Sequence, residues 1–173
     1  MIKRLLLVVI LSLFGFGGEI SLPDGFSANF SQEITTPEKN KITYSGEVRF
    51  LSPGILKWSY KTPTSKEVCT DGVELMVVDH DLEQVSFFLI DKGLNLPEVI
   101  ANAKLVRPSV YIAKYEKKEY TLQVDPKGRL SRIAYFDDLE NTVLIIFSNV
   151  KEGKPTSKSL ECTYPTRYDI IEG

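Results

Sequence analysis

The stretch that decides the fold runs from Tyr44 to Gln84 and reads YSGEVRFLSPGILKWSYKTPTSKEVCTDGVELMVVDHDLEQ. Apolar or small residues occupy every second position from Tyr44 to Phe50, with polar residues between them. The same alternation returns from Leu56 to Tyr60, after a turn at Pro53-Gly54. A period of two residues is typical of strands buried on one face and exposed on the other. The stretch therefore predicts antiparallel strands that share a large apolar face.

Outward from this stretch, alternation and turn residues predict a series of short strands. The turns are short and rich in Pro, Gly and Asp, as at Asp71-Gly72 and at Pro126-Lys127-Gly128. The predicted strands cover 26–34, 42–51, 55–61, 66–70, 73–78, 84–90, 110–115, 120–125, 130–136, 142–150 and, as a last short segment, 160–164. The first six follow one another through short connections, which is the arrangement of a meander.

One segment has the spacing of a helix instead. Leu96, Val99, Ile100 and Ala103 are spaced i, i+3, i+4 and i+7, and Pro97 stands where helices begin. This spacing predicts a short amphipathic helix over 96–103. The expected fold class is mainly β (α+β): a single curved antiparallel sheet forming an incomplete barrel. The helix is the available lid over its apolar cavity.

The N-terminus has the features of a secretory signal peptide over residues 1–17. Lys3 and Arg4 precede a short apolar core, and Gly15 and Gly17 have the spacing of a cleavage site. The core is about half the roughly 20 residues that a membrane span needs. An uncleaved anchor is the alternative. We expect a cleaved signal peptide and an exported mature protein.

The composition of the remaining chain restricts the classes of partner that we expect it to bind. Residues 18–173 are enough for one domain with its own core. Removing the signal peptide takes the formal net charge from −2 to −4. Mild acidity argues against a nucleic-acid partner, because nucleic acids are bound mainly through clustered Lys and Arg. It also disfavours tight adhesion to an anionic membrane surface.

Two cysteines, Cys69 and Cys162, are the only ones in the chain. In an exported protein an even count favours a disulfide, which here would close a long loop. Closing a loop of this length is worth about 4–5 kcal/mol in the chain-entropy model. The alternative is two buried thiols too far apart to pair.

The chain shows no pattern of a catalytic or metal site. His80 is the only histidine, and it lies between two aspartates in a predicted turn, without a nucleophile or further metal ligands nearby in sequence. Nucleophile-elbow, zinc-protease and phosphate-loop motifs are missing from the sequence. We expect neither an enzyme nor a bound cofactor or metal.

The apolar residues are therefore the candidates for function. Trp58, the sole tryptophan, lies on the apolar side of its strand and belongs either to a filled core or to the wall of a ligand cavity. The same two interpretations apply to Phe50, Leu56, Met76, Val78, Phe87, Leu89, Leu144 and Ile146. Met is flexible and suits adaptable apolar sites. The pattern alone does not separate the two interpretations.

An ordered series of short motifs resembles the LolA family, periplasmic carriers of outer-membrane lipoproteins. The matching elements are Phe26–Gln32, Gly46–Phe50, Ser52–Trp58, Thr70-Asp71-Gly72, the apolar strand ending at Asp79, Leu82–Gln84 and Tyr164-Pro165. Each piece alone is weak, whereas their order and spacing over 26–84 are fairly specific.

The resemblance implies an incomplete barrel whose helix-covered cavity takes the acyl chains of a lipoprotein. The implied partners are an inner-membrane ABC transporter that releases lipoproteins and an outer-membrane acceptor, with the carrier itself a monomer. The residues implied to line the cavity are Phe30, Phe50, Leu56, Trp58, Met76, Val78, Phe87, Leu89, Leu96, Val99, Ile100, Leu144 and Ile146.

Two positions depart from the family pattern. The family usually has a basic residue just before the Pro that precedes the third strand, associated with holding the lid shut, and Ser52 takes that place here. The family commonly begins with a helix, but only about eight residues separate Gly18 from Phe26. We expect that helix to be absent and the cavity to be covered differently.

Two other functions fit the same fold. One is a carrier of free lipids or glycolipids, since an apolar cavity does not distinguish their acyl chains from those of a lipoprotein. The other is a lipoprotein-sensing adaptor that binds a protein partner, and this alternative predicts a second domain or a transmembrane partner signature. We expect the lipoprotein carrier.

Overall fold

The computed structural model describes residue 20, residues 22–89 and residues 94–172. The predicted signal peptide and the predicted end of a strand at Ile90 lie outside the described residues. The strands are β1 (Gly25–Thr35), β2 (Lys41–Leu51), β3 (Ile55–Thr62), β4 (Lys66–Thr70), β5 (Glu74–Asp79), β6 (Gln84–Leu89), β7 (Ala103–Arg107), β8 (Val110–Tyr115), β9 (Lys118–Val124), β10 (Leu130–Phe136), β11 (Thr142–Glu152) and β12 (Asp169–Glu172). Helix α1 covers Leu96–Ala101, and a 3-10 turn covers Ser157–Ser159.

All twelve strands belong to one sheet, in the order β12-β6-β5-β4-β3-β2-β1-β11-β10-β9-β8-β7. Two meanders, β1 to β6 and β7 to β11, join where β1 pairs with β11. Every pairing is antiparallel except that of β12 with β6. The sheet is curved and open, with β12 and β7 at its edges, which confirms the predicted fold class.

The predicted alternation appears directly in the burial of the strands. Along β1, Phe26, Ala28 and Phe30 are buried, whereas Asn29 and Ser31, at alternate positions, are exposed. The long ladders of β1 with β2 and with β11 place this alternation in register across the middle of the sheet. The buried side chains therefore meet on one face, the concave face. Its core consists of Ile20, Phe26, Ala28, Phe30, Val48, Phe50, Leu56, Trp58, Leu96, Val99, Ile100, Tyr111, Ala113, Tyr120, Leu122, Leu130, Ile133, Val143, Ile145 and Phe147.

The predicted helix is shorter than its spacing indicated. Helix α1 ends at Ala101, and Ala103 instead begins β7, an edge strand that the sequence pattern did not predict. The side chains of β7 are mostly exposed, so they lack the alternation that identifies a strand. Asn102 closes the helix, because its side-chain amide donates to the carbonyl oxygen of Glu98 at 2.8 Å.

The C-terminal residues also differ from the prediction. Residues 161–164 form no strand, and the last strand is β12, which adds parallel to β6. We refer to residues 157–172 as the C-terminal strap. The strap covers a second, smaller apolar cluster on the convex face of the sheet, formed by Val78, Val85 and Tyr168 with Met76, Phe87, Cys162 and Tyr164 around it.

Candidate functional site

A cavity of about 380 Å³ opens on the concave face. This volume lies within the range of about 300–1,000 Å³ that is usual for small-molecule sites. Its walls come from five consecutive strands, β1 to β5, from β10 and β11, and from the segment before α1. The lining residues are Gln32, Ile34, Tyr44, Leu56, Trp58, Tyr60, Thr64, Lys66, Val68, Thr70, Leu75, Val77, Leu94, Tyr135 and Ile145.

The inner part of the cavity is an aromatic floor. Trp58 is 7% exposed and meets the ring of Phe30 edge-on, with centroids 4.9 Å apart. Its other neighbour is Phe147, at 6.0 Å. Leu56, two residues before Trp58 on the same strand, is also buried and lines the cavity. Rings in contact in this way form a broad apolar surface that contacts between aromatic edges and faces stabilise.

Another part of the cavity wall is polar. The Tyr60 hydroxyl donates to Oε1 of Gln32 at 3.0 Å, and the ring of Tyr44 meets the Tyr60 ring edge-on at 5.8 Å. Burial raises the pKa of Tyr60, and the nearby Tyr44 phenol raises it further. Burial likewise raises the pKa of Tyr135, with a smaller contribution from the Tyr60 phenol. Both phenols therefore stay protonated well above neutral pH, so each keeps a proton that it can donate.

Helix α1 covers part of the concave face. Leu96, Val99 and Ile100 turn fully into the core, which explains their helical spacing in the sequence. Asn95 caps the first turn, because its side-chain oxygen accepts from the backbone N–H of Glu98 at 3.4 Å. The segment leading into the helix supplies Leu94 to the cavity wall. The helix is thus attached to the concave face by three apolar side chains, none of which lines the cavity itself.

The structure places seven predicted cavity residues on the concave face. Leu56 and Trp58 line the cavity itself, whereas the others belong to the core that surrounds it. Those others are Phe30, Phe50, Leu96, Val99 and Ile100.

Four other predicted residues lie elsewhere, which corrects their placement. On β5, Leu75 and Val77 line the cavity, so Met76 and Val78 point to the convex face. Phe87 joins the same convex cluster under the C-terminal strap. Leu89, at the end of β6, is 65% exposed. The sequence ELMVVD is apolar at four consecutive positions, so periodicity could not select the face.

The same correction applies to β11. Leu144 is half-buried and Ile146 is 36% exposed, whereas Val143, Ile145 and Phe147 form part of the concave core. The run VLIIF is apolar throughout, so alternation carries no information about its orientation. The register of its pairing with β1 determines which of these side chains point to the concave face.

The polar lining residues, like Ile34, Val68 and several other apolar ones, were not selected by the sequence prediction. Tyr44 and Tyr60 fall on the apolar side of their strands, and Gln32 falls on the apolar side of β1. Their positions in the alternation were a usable signal, because a polar group on a buried face needs a partner. Tyr135 and Thr64 carried no comparable signal.

The C-terminal strap is fixed to the convex face by polar and covalent links. The Sγ atoms of Cys69 and Cys162 are bonded in a disulfide, which favours the first of the two alternatives for these residues. The buried Lys57 ammonium donates to the carbonyl oxygen of Glu161 at 2.6 Å and lies 2.8 Å from Oε1 of Glu67. Such a buried charge is tolerated because both partners satisfy it.

His80 is part of the same attachment. Its Nδ1 lies 3.1 Å from the Tyr168 hydroxyl, and the two rings are in edge contact. The residue is half-buried at this contact. On the same turn, hydrogen bonds from Arg167 lower the pKa of Glu83. These contacts give His80 a role in anchoring the strap.

The two departures from the family pattern have structural counterparts. Ser52 is exposed in its turn, and its backbone N–H donates to the carbonyl oxygen of Asp24 at 2.8 Å. No helix precedes β1 in residues 22–24. Ile20 is instead buried in the concave core, so its side chain contributes to the cover there.

Among residues 20, 22–89 and 94–172, no helix is both long enough and apolar enough to cross a membrane. The same part of the chain contains no group of three or more His, Cys, Asp or Glu side chains arranged to hold a metal ion.

These features define a class of protein: an open, curved β-sheet with a cavity on its concave face and a short helix packed on the same face. A solved structure of a LolA superfamily protein from Nitrosomonas europaea has this fold. It superposes with a TM-score of 0.53 at 14% identity, covering 83% of this chain and 93% of that chain. At this identity the likeness establishes the fold alone.

Sequence relatives establish the family. The family described as outer membrane lipoprotein carrier protein LolA matches residues 23–95. An outer-membrane lipoprotein carrier protein of Campylobacter jejuni is 35% identical over 147 residues, covering 84% of this chain and 85% of the relative. One of Wolinella succinogenes is 25% identical over 147 residues, covering 84% of this chain and 86% of the relative. This chain belongs to the LolA family, as its motifs predict, and like the family's carrier proteins it is not an enzyme.

Proposed function

We propose that this protein carries lipoproteins across the periplasm by enclosing their acyl chains in the concave cavity. The observation that carries the proposal is the aromatic floor at Trp58, backed by Phe30 and with Leu56 beside it, in an open cavity. Membership of a family whose relatives are named outer-membrane lipoprotein carriers supports the same function.

The physical need for such a cavity follows from the cost of exposing lipid. Each buried CH₂ of an acyl chain contributes about 0.8 kcal/mol, so an acylated protein cannot cross an aqueous compartment with its chains exposed. The carrier must nevertheless release its cargo. A broad contact with large side chains such as Trp58 and Leu56 gives many weak interactions instead of a few strong ones.

Helix α1 is the element that we propose to move when cargo enters. It has only six residues, and three apolar side chains account for its attachment to the sheet. An isolated helix of this length is not stable in water, so its structure depends on packing against the core. Acyl chains that fill the cavity would compete for the same apolar surface.

The proposed route follows from the same assignment. Residues 1–17 direct export and are cleaved, which leaves the carrier in the periplasm. An inner-membrane ABC transporter supplies the lipoprotein, and an outer-membrane acceptor receives it. The carrier works as a monomer without a cofactor.

The test is a release assay with the mature protein. It is added to inner-membrane vesicles loaded with an acylated lipoprotein, and soluble complexes are separated and quantified. A non-acylated version of the same lipoprotein and a free phospholipid serve as controls. A soluble one-to-one complex with the acylated protein alone supports lipoprotein carriage. Uptake of phospholipid without lipoprotein would favour the free-lipid carrier instead, and uptake of neither would remove the proposed function.

A pair of valine variants tests whether the cavity is the site. Val77 lines the cavity, whereas Val73 lies in the preceding turn and is 65% exposed. Val77→Glu should abolish most cargo uptake, because acyl chains would contact a carboxylate, and Val73→Glu should leave uptake unchanged. Thermal unfolding of both variants checks that they fold. Equal uptake by two folded variants would place the cargo outside this cavity.

A further inference from the structure

The cavity wall has an apolar part and a polar part that meet on neighbouring strands. On β3, the cavity residues are Leu56, Trp58 and then Tyr60. On β1, Phe30 in the core is followed by Gln32 in the cavity wall. The two strands are linked at this level by the hydrogen bond from Tyr60 to Gln32. The cavity wall is thus amphipathic, with an apolar part at Leu56 and Trp58 beside a polar part at Tyr60 and Gln32.

The polar part contains more hydrogen-bond donors than the protein uses. We refer to Gln32, Tyr44, Tyr60, Thr64 and Tyr135 as the polar rim. Among the described residues, only Tyr60 and Gln32 pair within the rim, and they do so through one bond. The Thr64 hydroxyl oxygen is enclosed and has no hydrogen-bond partner in the same part of the chain. An enclosed polar group without a partner is rare and needs an explanation.

The composition of the rim indicates the chemistry of its ligand. Hydroxyl and amide groups donate to neutral acceptors such as carbonyl oxygens. A phosphate group would instead call for a free cation, because charge-assisted bonds are the strong ones for anions. Among the described lining residues the cation is Lys66, and its Nζ already lies 3.4 Å from the Asp79 carboxylate. The rim therefore favours a neutral, carbonyl-bearing group.

We propose that the polar rim binds the ester carbonyls that join the acyl chains to the glyceryl group of a lipid-modified cysteine. This inference rests on the proposed function and adds a second recognition element to it. The acyl chains lie on the floor at Trp58, and the ester linkages lie at the level of Tyr60 and Gln32. The polypeptide of the cargo then leaves the cavity beyond the rim. The depth at which cargo sits is set by the linkages as well as by the chains.

The test compares two synthetic lipopeptides that differ only in these linkages. One carries an S-(2,3-diacyloxypropyl)cysteine, and its twin carries alkyl ethers of equal chain length, which lack the carbonyl oxygens. Each is labelled with the same fluorophore on the peptide and titrated with the mature protein. Because a hydrogen bond contributes about one kcal/mol, the wild-type protein should prefer the diester about three- to tenfold.

The variant for this test is Tyr44→Phe combined with Tyr135→Phe. It removes two hydroxyl groups and keeps both rings, so the shape of the cavity is preserved. We expect the variant to lose most of the preference for the diester while its affinity for the diether stays the same. Tyr164→Phe is the matched control, because Tyr164 packs in the convex cluster, away from the cavity. This control should behave like the wild type.

The outcomes separate this inference from the proposed function. Equal binding of both lipopeptides by the wild-type protein would show that the polar rim does not bind the ester linkages. A double variant that keeps the preference for the diester would show the same. Neither result would contradict the proposed carrier function. If the wild-type protein binds neither lipopeptide, both proposals fall. A diacyl phospholipid is added as a competitor, since it has the same esters beside a phosphate. Weak competition supports the lipoprotein as the source of the esters, and competition equal to that of the unlabelled lipopeptide overturns that source.

Discussion

Phe30 owes its position on the concave face to the absence of a side chain at Gly46. Its ring lies over Gly46, and a Cβ built there would be 3.0 Å from the ring and only 2.0 Å from the carbonyl oxygen of Ser59. The register between β2 and β3 shifts at this point, next to Gly46. A glycine inside a strand often marks such a close approach. One small residue thus positions both the aromatic floor and Tyr60, which pairs with it across the ladder.

Gly46→Ala should therefore destabilise the protein. The added methyl group cannot avoid the backbone of Ser59, so β2 and β3 must move apart, and we expect a loss of about 2 kcal/mol or more in the free energy of unfolding. Gly54→Ala is the control, since its nearest neighbour would be the Gly72 Cα at 3.6 Å, an ordinary contact. Denaturant unfolding measures both. Similar midpoints for the two variants would contradict the close-approach argument.

Among the secondary-structure elements, the strands were predicted correctly from sequence where one face of the strand is buried and the other is exposed to solvent. The strands from β1 to β6 were predicted nearly to their ends, because alternation and turn residues agree there. Edge strand β7 has mostly exposed side chains, and nothing in its sequence distinguishes it from a loop. Strand β12 depends on pairing with β6. A short parallel addition at an edge follows from tertiary contacts and leaves no local pattern.

The candidate site was only partly accessible from the sequence. The floor residues Leu56 and Trp58 lie on an alternating strand, so their shared face was predictable. In β5 and β11 the apolar runs are continuous, and the register of the neighbouring strands decides which residues enter the cavity. The convex cluster could not be predicted from the sequence either, because the strap that covers it comes from the distant C-terminus.

The C-terminal strap should depend on its disulfide for stability. The bond between Cys69 and Cys162 spans 93 residues of sequence, and closing such a loop contributes about 4–5 kcal/mol in the chain-entropy model. Reduction should lower the free energy of unfolding by an amount of this order. Denaturant unfolding with and without reductant measures the change.

The control for this prediction is the double variant Cys69→Ala, Cys162→Ala. It should match the reduced wild-type protein and show no response to reductant. Cargo binding should persist in the reduced protein at temperatures where it remains folded, since the strap and the cavity lie on opposite faces of the sheet. A wild-type midpoint that reductant does not move would remove the stabilising role of the bond.

In the molecule as a whole, the two faces of the single sheet have different roles. The concave face carries the cavity, the aromatic floor and the polar rim. The convex face carries the strap, with the disulfide and the Lys57–Glu67 pair that fix it. We infer that the convex attachments hold the sheet in its curved form while the concave side stays open to cargo. A carrier can then exchange cargo on one face without loosening the other.

The placement of phenols inside the cavity links this architecture to alkaline stability. Burial raises the pKa of Tyr60 and of Tyr135 in the folded protein, so the folded state keeps their protons at a pH where the unfolded chain loses them. Stability from these groups is complete below the ordinary tyrosine pKa of about 10 and declines as pH rises above it. Each phenol contributes a slope of at most about 1.4 kcal/mol per pH unit. Denaturant unfolding between about pH 9 and 11 measures the decline, and Tyr60→Phe combined with Tyr135→Phe should flatten it. A variant with the same slope as the wild type would show that other groups control the alkaline limit.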